Sequence, residues 1–244
     1  MHRFIQSFLR VGFLSGLSAV MIFGAGCATN GRHVYLKEYH ASVPPQADSP
    51  LKGKTICLKG FQCVSTLTGP DPTSKPEQPA QFTYVAFSDA DSKAWTRDGD
   101  ALQKRAAQSD WREIGNVRNG FGMVMSRVYA MNDPAVWLAD SLKMDLESHG
   151  AKVVGPDESA AADISVWGTI QFCRVDMYMK IWGDLVVQLE LQPRDRGISR
   201  TLLHTGGGTV AWVGATSEFY KPLRESRQKF SWLAAREIAK ALNP

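Results

Sequence analysis

Residues 164–191 read ISVWGTIQFCRVDMYMKIWGDLVVQLEL, and their alternation decides the fold class. In the first half, Ile164, Val166, Ile170 and Phe172 share one face of an extended chain. Ser165, Trp167, Thr169, Gln171 and Cys173 share the other. In the second half, Met179, Ile181, Leu185, Val187, Leu189 and Leu191 oppose Lys180, Trp182, Asp184, Gln188 and Glu190. Side chains alternate across a strand with a period of two, so this pattern specifies antiparallel strands with one face buried and one in water. Residues 193–197 (PRDRG) read as a turn, and residues 198–213 as a third strand in which Gly206-Gly207-Gly208 predicts a bulge or bend.

Helical spacing lies on both sides of this meander. Downstream, from about residue 222 to 242, Leu223, Phe230, Leu233, Ala234, Ile238 and Ala241 predict a helix lying across the inner face of the sheet. Upstream, Asn132 or Asp133 can cap a helix with Pro134 in its first turn, Leu138, Leu142 and Leu146 along one side, and Gly150 at its end. Residues 151–154 then read as a short strand, 54–61 (KTICLKGF) as the first credible strand, 81–87 (QFTYVAF) as a short β-rich run and 88–113 as polar and weakly helical. Residues 124–131 fit either a strand or the extended approach to the helix. Strands covered by helices on one side predict an α+β two-layer sandwich, with a mostly antiparallel sheet and two helices packed on one face.

The N-terminus carries a different kind of signal. His2, Arg3 and Arg10 precede a mostly apolar run over residues 11–23, and Gly24-Ala25-Gly26 lead into Cys27. A basic start, an apolar stretch and small residues before the cut form a secretory signal. A cysteine directly after the small residues is the substrate of lipoprotein processing, although Gly24 stands where leucine is usual. The run is shorter than the ~20 apolar residues that cross a bilayer. The expected organisation is therefore a lipoprotein signal over residues 1–26, a lipidated flexible tether over 27–52, and one α+β domain over 53–244 with a long loop insert at about 65–111. Pro44-Pro45 and Pro50 mark the tether, and Pro70, Pro72, Pro76 and Pro79 the insert. Ala28, rather than an aspartate, follows the lipid cysteine and points to an outer-membrane address facing the periplasm.

Composition narrows the function classes. With 28 basic against 24 acidic side chains and a net charge of +4, the chain lacks the strong basic excess of a nucleic-acid binder. Cys57, Cys63 and Cys173 remain after Cys27, an odd number. Cys57 and Cys63 would stand about 20 Å apart on one strand, beyond disulfide reach. Either could bridge to Cys173, or all three stay reduced. No CxxC or clustered Cys/His spacing calls for zinc, and no HExxH or nucleophile elbow is present. Asp89, Asp91, Asp98 and Asp100 fail the calcium-loop pattern at Lys93 and Ala94. The expectation is no catalytic residue, no cofactor and no metal. The candidate working residues are aromatic: Trp167 and Trp182 fall on the face that otherwise reads polar, where either a partner or the insert would cover them.

The lipid cysteine Cys27, the first strand KTICLKGF, the Gly-rich segment over residues 114–122 (IGNVRNGFG), the helix-Gly-strand unit over 138–154 (LADSLKMDLESHGAKVV) and the ADISV opening at 162–166 together resemble the YajG-like envelope lipoproteins. The wider group with this layout includes the LptE and PqiC lipoproteins. That resemblance implies a non-enzymatic accessory role in a lipid-, LPS- or cell-wall-handling assembly. It implies a membrane contact through the N-terminal lipid and an envelope protein partner. It also implies that residues 114–122 form a loop before the first helix. The insert departs from the family's usual brevity. The other reading, an envelope hydrolase or transferase with a site built from distant residues, has no local motif behind it.

Overall fold

A computed structural model of the chain describes residues 31–37, 41–42, 48–63, 83–86, 112–178, 180–209 and 216–243. In chain order these form β1 (Arg32–Val34), β2 (Thr55–Cys63), β3 (Thr83–Ala86), β4 (Glu113–Arg118), β5 (Val124–Ala130), α1 (Pro134–Ser148), β6 (Lys152–Val154), a 3-10 turn (Pro156–Ala161), β7 (Ile164–Tyr178), β8 (Lys180–Pro193), β9 (Ser199–Thr209) and α2 (Thr216–Leu242). The 164–191 alternation becomes the spine of the sheet. β7 and β8 pair antiparallel from Ile164↔Pro193 to Tyr178↔Lys180. β9 continues the meander, antiparallel to β8.

The other edge of β7 is divided between two parallel partners, β2 along Ile164–Ile170 and β4 along Val175–Met177. β5 pairs antiparallel with β4, β1 parallel with β5, β6 parallel with β2, and β3 parallel with β9. The sheet order is β1-β5-β4-β7-β8-β9-β3, with β2 and β6 attached beside β7. The class is α+β. The long central pairings are antiparallel, and the shorter flanking ones are mostly parallel. Among the described residues of the insert, β3 adds to the β9 edge; the rest of residues 65–111 lies outside them.

Both helices cover one face. α1 starts where capping chemistry placed it: the Asp133 carboxylate accepts from the Ala135 N–H at 2.8 Å, Pro134 opens the helix, and Gly150 takes φ +79° just past its end. Its buried Leu138, Leu142 and Leu146 share one cluster with Ile56, Ile164, Val166, Leu185, Val187 and Leu189 of the sheet and with Phe230, Leu233 and Ile238 of α2. A second cluster gathers Val34, Leu36, Ile114, Val128, Trp137, Val175, Ile181, Phe219 and Leu223.

Five expectations need correction. The register of β7 against β8 shifts between Ile170 and Phe172. The extra residue reverses the alternation, so Cys173, Val175 and Met177 pack with the core clusters and Phe172 belongs to neither of them. Gly206-Gly207-Gly208 makes no bulge, because β8 and β9 stay in register from Ile181↔Thr209 to Leu191↔Ser199. A Cβ on Gly207 would lie 2.3 Å from the Pro222 carbonyl oxygen, and one on Gly183 2.7 Å from the Pro222–Leu223 backbone. These glycines admit the close approach of α2. That helix begins at Thr216, with Pro222 inside it rather than at its start.

Residues 114–122 are not a loop. They supply most of β4 and the turn into β5, where the Asn119 side chain accepts from the N–H groups of Phe121 and Met123, both at 3.0 Å. Nor are residues 27–52 free throughout. β1 joins the sheet, and Val34, Leu36 and Leu51 are buried. Asn132 exchanges two hydrogen bonds of 2.8 Å with the Leu36 backbone. A few apolar side chains set among prolines and polar residues carry no period, which is why the segment reads as a spacer.

Candidate interaction surface

Cys27 lies outside the described residues. The two tryptophans share the outer face but are not brought together. Trp167 pairs with Glu190 and Trp182 with Asp176. The eight residues from Trp182 to Glu190 along β8 separate them by about 26 Å. Trp167 is partly buried, with the Lys59 ammonium 4.8 Å from its ring centroid. Trp182 is 47% exposed, with the Lys180 ammonium 4.2 Å from its ring centroid. A cation over the ring face is attracted by the ring quadrupole and leaves the rest of the indole available.

A cluster that sequence reasoning passed over stands at one end of the sheet. Phe121 is 90% exposed, and Met123 and Val124 at the β4–β5 turn are 58% and 52% exposed. Val117 of β4 pairs with Met177 of β7, so this turn is level with the tip of the β7–β8 hairpin. The Tyr178 hydroxyl at that tip donates to the Gly120 carbonyl at 3.2 Å. Exposed apolar side chains thus gather at one end of the sheet as a rim, with Trp182 two residue pairs inboard of Tyr178 and Lys180. The available signal was a phenylalanine between two glycines in an otherwise polar run.

The far end of the sheet is mostly charged, with Ile198 48% exposed among its polar side chains. The β8–β9 turn exposes Arg194, Asp195 and Arg196, and the 3-10 turn exposes Asp157 and Glu158.

A buried ion pair ties the helices together beneath the sheet. Arg227 of α2 donates to the Asp145 carboxylate of α1 at 2.5 Å, and both side chains are almost wholly buried. The other carboxylate oxygen accepts the Ser42 N–H, and the Ser42 hydroxyl adds a bond of 3.2 Å. Between β8 and β9, His204 Nε2 is 3.7 Å from Asp184 Oδ1, an ion pair when the imidazole is protonated.

All three thiols are free. Burial, then the charge of Asp133 and its contact 3.9 Å from the sulfur, push Cys63 up to about 12. Burial, then the neighbouring Cys63, push Cys173 well above its ordinary value. Both shifts disfavour the thiolate form at neutral pH. No group of three or more His, Cys, Asp or Glu side chains among the described residues could hold a metal ion. No helix among them is long and apolar enough to cross a membrane.

The arrangement defines an α+β two-layer protein with an aromatic outer face. No family model matches the chain, and no curated protein matches it. Among solved structures it is similar to protein XCC0632 from Xanthomonas campestris, of the DUF330 family, with 10% identity over 86% of this chain and 94% of that one at a TM-score of 0.48. It is also similar to the crystal structure of an uncharacterized protein, with 10% identity over 86% and 99% of the two chains at a TM-score of 0.45. No functional residue is carried over from either.

Proposed function

We propose that the chain is an envelope lipoprotein, anchored through lipid on Cys27 and acting as a non-catalytic binding or accessory subunit of an envelope assembly that handles lipid, LPS or cell wall. The address proposed is the outer membrane, facing the periplasm, and the kinship proposed is with the YajG-like lipoproteins. The observation that carries the binding role is Trp182: a large ring left 47% exposed on a strand face whose neighbours belong in water. Aromatic side chains of this kind are enriched among interface hot spots, where truncation costs ~2 kcal/mol or more. The anchor rests on the basic, apolar and small-residue sequence before Cys27.

One experiment with two arms tests this reading. Cys27→Ser should accumulate as uncut, unlipidated precursor by intact mass, while the wild type carries the lipid mass on its new N-terminus. Trp182→Ala in the lipidated protein should weaken retention of the co-purifying partner with little change in thermal unfolding. Normal processing of Cys27→Ser overturns the anchor. Unchanged retention with Trp182→Ala overturns the surface.

A further inference from the structure

We infer that the rim formed by the β4–β5 turn and the β7–β8 hairpin tip seats on the phospholipid surface in which the chain is anchored, fixing the protein's orientation on the membrane. This rests on the lipid at Cys27 proposed above and goes beyond it, because an anchor alone leaves the body free to tumble.

The first argument is chain length. β1 runs parallel to β5, with Arg32 opposite Val128. Gly31 continues the same course, since a Cβ there would lie 3.8 Å from the Arg127 carbonyl oxygen and against the Tyr129 ring. Gly31 therefore lies on the side of β1 that faces the end of the sheet where β5 begins. Cys27 is five residues before Arg32, and five residues span at most about 17 Å. Val124 is four residues before Val128 in β5. The reach from Arg32 back to Cys27 thus matches the distance from Val128 to the exposed turn. With Arg32–Val34 paired to β5 and Leu36 bonded to Asn132, at most about 17 Å of chain separates the body from its lipid.

The second argument is chemistry. The end that the anchor can reach exposes Phe121, Met123, Val124 and Tyr178, whereas the opposite end exposes Asp157, Glu158, Arg194, Asp195 and Arg196, with Ile198 at 48% beside them. Phenylalanine at the tip, a tyrosine beside it and the exposed Lys180 next to Tyr178 make the graded apolar, aromatic and cationic order that suits the acyl-to-headgroup boundary. Long cationic side chains lay their stems on apolar surface and keep the charge among headgroups. Trp182, two residue pairs further in, would then stand just above the lipid, where a membrane-bound partner meets it.

The full-length lipidated protein tests this in vesicles of phosphatidylethanolamine and phosphatidylglycerol with brominated acyl chains. Phe121→Cys and, as a control at the far end, Asp195→Cys each receive an environment-sensitive fluorophore; the native thiols are buried or held protonated. The expected result is co-flotation of both proteins, loss of emission for the label at 121 and unchanged emission for the label at 195. Flotation with neither label quenched leaves the anchor standing and overturns the docking, as does quenching of both labels. Failure to float overturns the anchor and the docking with it.

Discussion

At the scale of single residues, the Asp145–Arg227 pair carries the most concentrated energetics. Removing water from two charges is expensive, and the loss is offset only while each has its partner. Asp145→Ala leaves a guanidinium that is 0% exposed without its carboxylate. It should cost about 3–5 kcal/mol in urea unfolding. Loss also of the two Ser42 bonds makes the change felt in the N-terminal segment. The pair is separated by 82 residues, so no local motif reveals it. Each half was nevertheless visible as an anomaly. Asp145 falls on the stripe of Leu138, Leu142 and Leu146, and Arg227 on that of Leu223 and Phe230, both at core-facing helical spacing. A charge on each of two apolar stripes is a signal that they meet.

At the scale of elements, the contact of α2 with β8 and β9 depends on side chains that are absent. Gly207→Ala places a methyl group 2.3 Å from the Pro222 carbonyl oxygen, so backbone must move. The expected loss is about 1–3 kcal/mol, read as a lowered denaturation midpoint with an unchanged urea slope. Three glycines in a strand mean either a bend or a close neighbour, and only tertiary packing decides between them. The α1 boundaries, by contrast, were legible because Asp133, Pro134 and Gly150 act on their own backbone. The reversal at Gln171 was not, because a bulge is decided by how two strands pair rather than by either one alone.

At the scale of the whole molecule, the described residues before β2 (31–37, 41–42 and 48–54) belong to the folded body. Leu36 is 1% exposed in the second core cluster. Leu36→Ala should cost about 2–5 kcal/mol in thermal or urea unfolding, where a free tether predicts no change. The meander and its two covering helices could be read from periodicity, since both periods repeat over many residues. Of the flanking parallel strands, β2, β3 and β6 are legible as strand or β-rich runs at 54–61, 81–87 and 151–154, whereas β1, with three residues, is not, and the partners of all of them lie in distant parts of the chain that no local pattern reveals. The apolar rim was missed for a related reason: Phe121, Met123 and Tyr178 come from two turns whose alignment is set by the register of β4 on β7.

The divided edge of β7 also bears on the order of assembly. β2 pairs with a strand whose partner residues come 108 positions later, and β1 with one 96 positions later, counted from Ile56 to Ile164 and from Arg32 to Val128. Closing loops of that length before any pairing rewards them slows folding. A chain threaded through a membrane from its N-terminus delivers β1 and β2 long before β5 and β7. Their bare edges must wait, open to mispairing with other chains. With the lipid proposed on Cys27 already in place, early arrival beside the bilayer would keep those edges near one surface until the spine emerges.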